Sequence, residues 1–211
     1  MQAVIFLGGD FAFTDVDREL HVAKEAGELL VIAADRGLRA AELLGWEPQF
    51  WVGDGDSLDE WPTRAGMRYI RYPVDKDKSD GELAIRLAIG LGADSVTFLG
   101  ALGGRLDHEL ANLQLLAVAA EYGLPGRILG SGQEVTLVSG HRVLAGRVGQ
   151  IVSLFALGGE ASGVTLRGFR YSLTNARLPA HSSLGLSNVL VSNTASVQVD
   201  RGRVLVVRQV I

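Results

Sequence analysis

Apolar positions in the first part of the chain fall into two periods. Short apolar runs occur at Val4-Ile5-Phe6-Leu7, Leu29 to Ala33, Phe50-Trp51-Val52 and Val96 to Leu99, and Met67 to Arg71, interrupted by arginine, is a weaker strand. Runs of this length read as strands buried on both faces. Between them, apolar residues recur at helical spacing. Val16, Leu20 and Ala23 share one face behind a cap at Thr14 or Asp15, and Gly27 ends that helix. A short helix stops at Gly45, another carries Leu83, Leu87 and Leu91, and a fourth runs from about Asp107 to Tyr122. Ser79-Asp80-Gly81-Glu82 has the form of a capping box, with Ser79 as N-cap and Glu82 at the third helical position. Strands alternating with helices predict right-handed crossovers and a mostly parallel, Rossmann-like α/β sheet.

Past Pro125 the pattern changes. Glu134 to Val138, Ile151 to Ala156, Val164 to Leu166 and Ser196 to Val199 read as short strands separated by Gly and polar residues. Arg201-Gly202, set between the alternating pairs Val197/Val199 and Val204/Val206, has the form of a hairpin turn. This part predicts an all-β antiparallel sandwich, or a barrel. The expected domains are therefore 1–125, α/β, and 126–211, all-β.

Charge sharpens the division. Residues 1–125 hold 21 acids and 11 bases, whereas 126–211 hold 3 acids and 9 bases. The basic residues of the second part are scattered arginines without a lysine, so a nucleic-acid partner is not expected. The absence of cysteine excludes disulfides and thiolate metal sites. The start Met1-Gln2-Ala3-Val4 lacks the basic opening of a signal peptide, and no apolar run reaches membrane-spanning length. A cytoplasmic protein without a membrane partner is expected.

The candidate chemistry centres on Gly53-Asp54-Gly55-Asp56-Ser57. In extended backbone, residues two apart project the same way, so Asp54 and Asp56 can aim two carboxylates at one point. That is costly unless a cation or proton lies between them. A hard dication such as Mg2+ suits the pair, and so does the alternative of an Asp-rich loop capping a helix. Asp10, Asp35, Asp75, Asp77, Asp80 and Asp107 also follow predicted strands, and in an open parallel sheet such loops converge on one edge. Lys76, Lys78 and Arg105 belong to the same loops, beside glycines that expose backbone N–H groups. Acids, cations and exposed N–H groups are the usual parts of a phosphoryl-transfer site. The 100–104 loop lacks the Gly-Lys-Ser/Thr ending of a P-loop, and no Gly-x-Gly-x-x-Gly follows the first strand.

Six motifs occur in one order: Ala34-Asp35-Arg36-Gly37, Gly53 to Ser57, Lys76-Asp77-Lys78-Ser79-Asp80, Gly100 to His108, Gly168-Phe169-Arg170-Tyr171-Ser172-Leu173, and Gly185-Leu186-Ser187-Asn188. Together they resemble the motifs of the thiamine pyrophosphokinase family. The resemblance implies transfer of a pyrophosphoryl group from ATP to the hydroxyl of thiamine, giving thiamine diphosphate and AMP. It further implies Mg2+ and a homodimer with shared active sites, residues 1–125 being catalytic and ATP/Mg-binding and 126–211 thiamine-binding and dimerising. By motif position, Asp54, Asp56 and Asp80 would hold the metal and, with Arg105, carry catalysis. Asp35, Lys76, Gly100, Gly103, Gly104, Arg105 and Asp107 would bind ATP, and Ser187 and Asn188 thiamine. Ser79 stands where the family usually has Thr, Gly55 replaces a common Phe, and no aromatic follows Tyr171. Two other functions fit the same residues: pyrophosphoryl transfer to another hydroxyalkyl heterocycle such as a hydroxymethylpterin, and a non-catalytic regulator that binds nucleotide or thiamine phosphates.

Bland roles are expected beside these. Asp107 is well placed as an N-cap, Phe169 and Tyr171 as core of the second part, and His21, His141 and His181 as surface residues.

Overall fold

The computed structural model of the chain describes residues 1–10, 18–56 and 64–210. The expected cap at Thr14 or Asp15, the apolar Val16 and the motif's Ser57 lie outside the described residues. Two compact units appear, residues 1–132 and 133–211.

Among the described residues the first unit is built on six parallel strands: β1 (Gln2–Phe6), β2 (Leu29–Ala34), β3 (Phe50–Gly53), β4 (Arg68–Arg71), β5 (Ser95–Leu99) and β6 (Gly126–Gly130). Their spatial order is β4-β3-β2-β1-β5-β6, every pair parallel. β2 is buried at all six positions, as helices on both faces require, whereas β4 at the edge is exposed at both ends. Helices α1 (Arg18–Glu25), α2 (Gly37–Leu43), α3 (Asp80–Gly90) and α4 (Leu106–Glu121) connect them. Leu20 of α1 and Ala40 and Ala41 of α2 pack with Val4, Phe6, Val31 and Trp46 in one cluster. On α3, Gly81 lies against Leu7 and Leu115 of α4. Successive crossovers run outward to β2 on one side of β1 and to β5 on the other. The crevice between β1 and β5 is therefore the point where strand order reverses, the usual ligand position in such sheets.

The unit extends past Pro125 because Val96 to Leu99 pairs in parallel with Gly126 to Leu129. The compact division thus falls after Gly132 and not at Pro125.

The second unit contains β7 (Gln133–Ala145), β8 (Ile151–Ala156), β9 (Ala161–Arg167), β10 (Leu173–Leu178), β11 (Asn188–Val189) and β12 (Thr194–Gln209). All their pairings are antiparallel. β12 is the spine: β7 pairs along it from Thr194 to Gln209, while β9 and β8 take successive parts of its other edge. Val138, Val152, Leu154, Val164, Leu166, Val197, Val199, Val204 and Val206 form the core of the unit.

The expected hairpin at Arg201-Gly202 is not formed. β12 stays antiparallel to β7 on both sides of these residues, with Val199 opposite Gly140 and Val204 opposite Val138. Four residues on one strand, 200–203, thus face one on the other, Ser139, and the surplus is a bulge containing Gly202 at φ 87°. A bulge shifts the apolar alternation by one position just as a turn does, but it leaves the chain direction unchanged.

Candidate functional site

The loops at the carboxyl ends of β1, β2, β3 and β5 hold the site. After β1 and β5 the backbone keeps pairing, the Leu7 N–H donating to Leu99 O at 2.8 Å and the Gly9 N–H to Gly100 O at 2.8 Å. Gly100 has φ 65°, and a Cβ there would stand 2.4 Å from Leu7 O, so only glycine lets the two loops lie this close.

After β2, Asp35 takes a left-handed conformation with φ 46°. It is fixed by its own N–H donating to Val52 O at 2.8 Å and by Trp51 Nε1 donating to its carbonyl at 3.2 Å. The Ala34-Asp35-Arg36-Gly37 motif is thus a tight exit from a strand into a helix. After β3, the Asp56 N–H donates to Asp54 Oδ1 at 3.1 Å around Gly55, which has φ 76°.

The segment after β4 brings Lys76 across these acids. Its ammonium donates to Asp54 Oδ2 and lies 3.3 Å from Asp80 Oδ1. The Lys76 and Asp54 side chains are only 15% and 8% exposed, so water screens the pair little. Asp80 opens α3 behind its N-cap Ser79, whose hydroxyl accepts from the Glu82 N–H at 3.3 Å.

Oxygens of Asp35, Asp54 and Asp56 lie within 4.8 Å of one another. Asp80 is not part of this trio but shares the Lys76 ammonium with Asp54. The electrostatics separate the acids. Burial opposes ionisation of Asp54, but hydrogen bonds from Lys76 and the Asp56 backbone, with the lysine charge, outweigh it and hold the carboxyl below its ordinary value. The hydrogen bond and charge of Asp54 push Asp56 up. Burial pushes Asp80 up against the pull of Lys76, and the charges of Asp54 and Asp35 add to the rise. Crowded acceptor-only oxygens suit a hard dication.

These residues line a cleft of about 810 Å³. It includes Asp35, Asp54, Asp56, Lys76, Asp80, Gly103, Gly104 and Arg105, all expected from the sequence. Gly8, Gly9, Lys78, His108 and Asn112 line it too. Gly8-Gly9 carried a readable signal, being small residues directly after a strand. Asn112, whose amide donates to Ala101 O at 2.8 Å, carried none.

Other expected residues stand elsewhere. Gly100 braces the β1 and β5 loops and does not line the cleft. Asp107 is not an N-cap: Arg105 occupies that position, and Asp107 sits inside the first turn. Its Oδ1 and Oδ2 accept from Arg105 Nε at 3.2 Å and from a terminal guanidinium nitrogen at 2.7 Å. That fork holds the Asp107 carboxyl below its ordinary value.

In the second unit the last two motifs meet directly. Gly168 to Tyr171 runs antiparallel to Asn188 to Val191, with the Arg170 N–H donating to Val189 O at 2.8 Å and the Val191 N–H to Gly168 O at 2.9 Å. The Asn188 side chain, 3% exposed, closes this pairing. Its Oδ1 accepts from the Tyr171 N–H at 3.0 Å and its Nδ2 donates to Tyr171 O at 2.8 Å. Asn188 thus spends its amide on backbone. Ser187 is exposed, with φ 54°. Phe169 is core, as expected, but Tyr171 is 63% exposed because its backbone, not its ring, is what the fold uses. His21, His141 and His181 are exposed.

Comparison with known proteins places this geometry. Residues 23–124 match the family described as thiamin pyrophosphokinase, catalytic domain, and residues 141–204 match thiamin pyrophosphokinase, vitamin B1 binding domain. A thiamine pyrophosphokinase of Bacillus subtilis strain 168 is 26% identical over 185 residues, covering 85% of this chain and 86% of its own. The crystal structure of a Bacillus subtilis thiamine pyrophosphokinase superposes with TM-score 0.82 at 22% identity, over 100% of this chain and 99% of that one. The enzyme from Geobacillus thermodenitrificans gives TM-score 0.80 at 26% identity, over 100% and 98%. With both halves matched in order and the acidic cleft in the half that matches the catalytic domain, the chain belongs to the thiamine pyrophosphokinase family.

Proposed function

We propose that this protein is a thiamine diphosphokinase whose active centre is the cleft around Asp54. The reaction joins the hydroxyl oxygen of thiamine to the β-phosphorus of ATP. The bond from that phosphorus to the oxygen bridging the α-phosphate breaks, and AMP leaves carrying that oxygen. The hydroxyl proton passes to a carboxylate of the cluster.

Mg2+ is the expected dication, held by Asp54 and Asp56 together with Asp35 or Asp80. When bound, it neutralises charge on the phosphates and orients them. The protein's own groups do the rest. Lys76 and Arg105 contact phosphate oxygens and offset the charge that develops toward AMP. Gly103 and Gly104, with φ 85° and 89°, bring bare backbone to the nucleotide. Asp107 orients Arg105 toward ATP through its fork.

Residues 133–211 form the thiamine-binding and dimerising part, read as a sandwich wrapped on β12. Ser187 faces thiamine, and the active site is completed by a second copy of the chain. Expected partners are ATP, thiamine and that second copy, in the cytoplasm. Among the described residues no helix is long and apolar enough to cross a membrane.

The observation that carries this reading is the pairing of two family matches with a cleft that gathers three carboxylates and an ammonium. The test is incubation with Mg-ATP and thiamine, with nucleotides separated by chromatography. AMP and thiamine diphosphate are expected in equal amounts. ADP as the sole nucleotide product would refute the function. Asp56→Asn should abolish turnover with the fold retained.

A further inference from the structure

Lys76 occupies the place that a cation would take between Asp54 and Asp80, and it is the feature that the assignment of a metal to this cleft does not absorb. Asp54 is already satisfied in the protein alone: Oδ1 accepts from the Asp56 backbone at 3.1 Å and Oδ2 from the Lys76 ammonium. The same ammonium stands 3.3 Å from Asp80 Oδ1. It therefore ties the loop after β3 to the first residue of α3, across acids that would otherwise repel one another. A dication held by Asp54 would sit beside this ammonium, and two like charges at such a distance in a poorly screened site exclude each other. The lysine stem is long and flexible, so its head can leave while its backbone stays. What it needs on leaving is another anion, and a nucleotide's phosphates supply one.

We infer that Lys76 is an internal counter-ion that holds the cation position in the nucleotide-free protein and yields it to a divalent metal when a nucleotide's phosphates accept its ammonium. Metal and nucleotide then bind cooperatively through one side chain. A free dication meets an occupied position and binds weakly, whereas a dication arriving with a triphosphate brings the anion that draws Lys76 away. The inference rests on the proposed metal role of Asp54, but it concerns the order and coupling of binding and not the reaction.

Mn2+ serves as the probe, its free concentration read by electron paramagnetic resonance, on the full chain as wild type, Lys76→Met and Lys76→Arg. Without nucleotide, Lys76→Met should bind Mn2+ on the order of tenfold more tightly than wild type, within the usual range for coupled sites. Lys76→Arg keeps the charge and should bind as wild type does. A non-hydrolysable ATP analogue should tighten Mn2+ more on wild type than on Lys76→Met, after correction for chelation in solution. Equal or weaker Mn2+ binding by Lys76→Met would mean that Lys76 is only a structural tether, and would overturn the inference.

A second measurement needs no variant. Amine-selective methylation of the wild type, read by mass spectrometry at Lys76, should be slow in EDTA, faster with saturating Mg2+ alone and slow again with Mg2+ and the analogue. Unchanged labelling on adding Mg2+ would also overturn it. If the wild type binds no Mn2+ with or without nucleotide, the metal reading fails as well. If it turns over thiamine but Lys76→Met shows no gain in Mn2+ affinity, the counter-ion alone fails.

Discussion

Gly37 offers the sharpest test of how the fold builds the site. It opens α2 directly behind Asp35 and Arg36. A Cβ on Gly37 would lie 1.9 Å from Phe6 O, 2.4 Å from Phe6 C and 2.9 Å from Leu7 N. Contacts between unbonded heavy atoms settle near 3.5–4.0 Å, so helix and strand would have to part by roughly 1.5 Å. Two of these atoms are backbone of β1, which is paired on one side to β2 and on the other to β5 and cannot yield alone, and Leu7 N just past it is tied to Leu99 O. Gly37 is not among the glycines with positive φ, so the effect of Gly37→Ala is one of space. In an unstrained helix the change would stabilise by about 0.4–1 kcal/mol. Here overpacking should reverse the sign, at the upper end of the usual range, about 3 kcal/mol. For a chain of this size that corresponds to a fall in Tm of roughly 6–12 °C. Urea unfolding followed by tryptophan fluorescence isolates the first unit, because Trp46 and Trp51 are buried there and all three tryptophans of the chain precede residue 132. A Gly37→Ala protein as stable as wild type, or more so, would refute the argument that close packing fixes Asp35.

Three further outcomes are expected. Asp80→Asn should gain stability over wild type in EDTA as pH rises from below the ordinary carboxylate value. The folded state raises this carboxyl, so it binds the proton more tightly than the unfolded chain and loses stability on ionisation; a Tm difference constant with pH would contradict this. Asn188→Ala should destabilise the second unit by about 2 kcal/mol, since it strands the Tyr171 N–H and C=O, as measured by denaturation followed by circular dichroism. Asp107→Ala should leave Tm nearly unchanged, because the pair with Arg105 is exposed on both sides. It should raise the KM for ATP by up to about fivefold.

Much of the first unit was legible because its physics is local. Strands buried on both faces must be apolar throughout, and Val4 to Phe6 and Leu29 to Ala34 show it. Acids directly after such strands must share an edge, which brings Asp35, Asp54 and Asp56 together. The Ser79 cap was legible for the same reason. Three features were not, since each depends on a partner remote in sequence. The alternation of Val197 and Val199, then Val204 and Val206, suits a turn or a bulge equally, and only the length of β7 decides. The Asn188 amide could face a ligand or a backbone, and Tyr171 seventeen residues away claims it. β6 is a short run after a proline whose strand character comes from pairing with β5.

The spine of the second unit carries a consequence for biosynthesis. β7, β8 and β9 all pair with β12, which follows every one of them in the chain. As the polypeptide leaves the ribosome, the first unit can close its parallel sheet once β6 has emerged. Until β12 follows, β7 and β9 present edges whose partner has not yet been made. Unpaired edges of this kind recruit other chains. Nascent chains stalled before Thr194 should therefore be the species that chaperones hold and that aggregates first, with a folded first unit and an open second one.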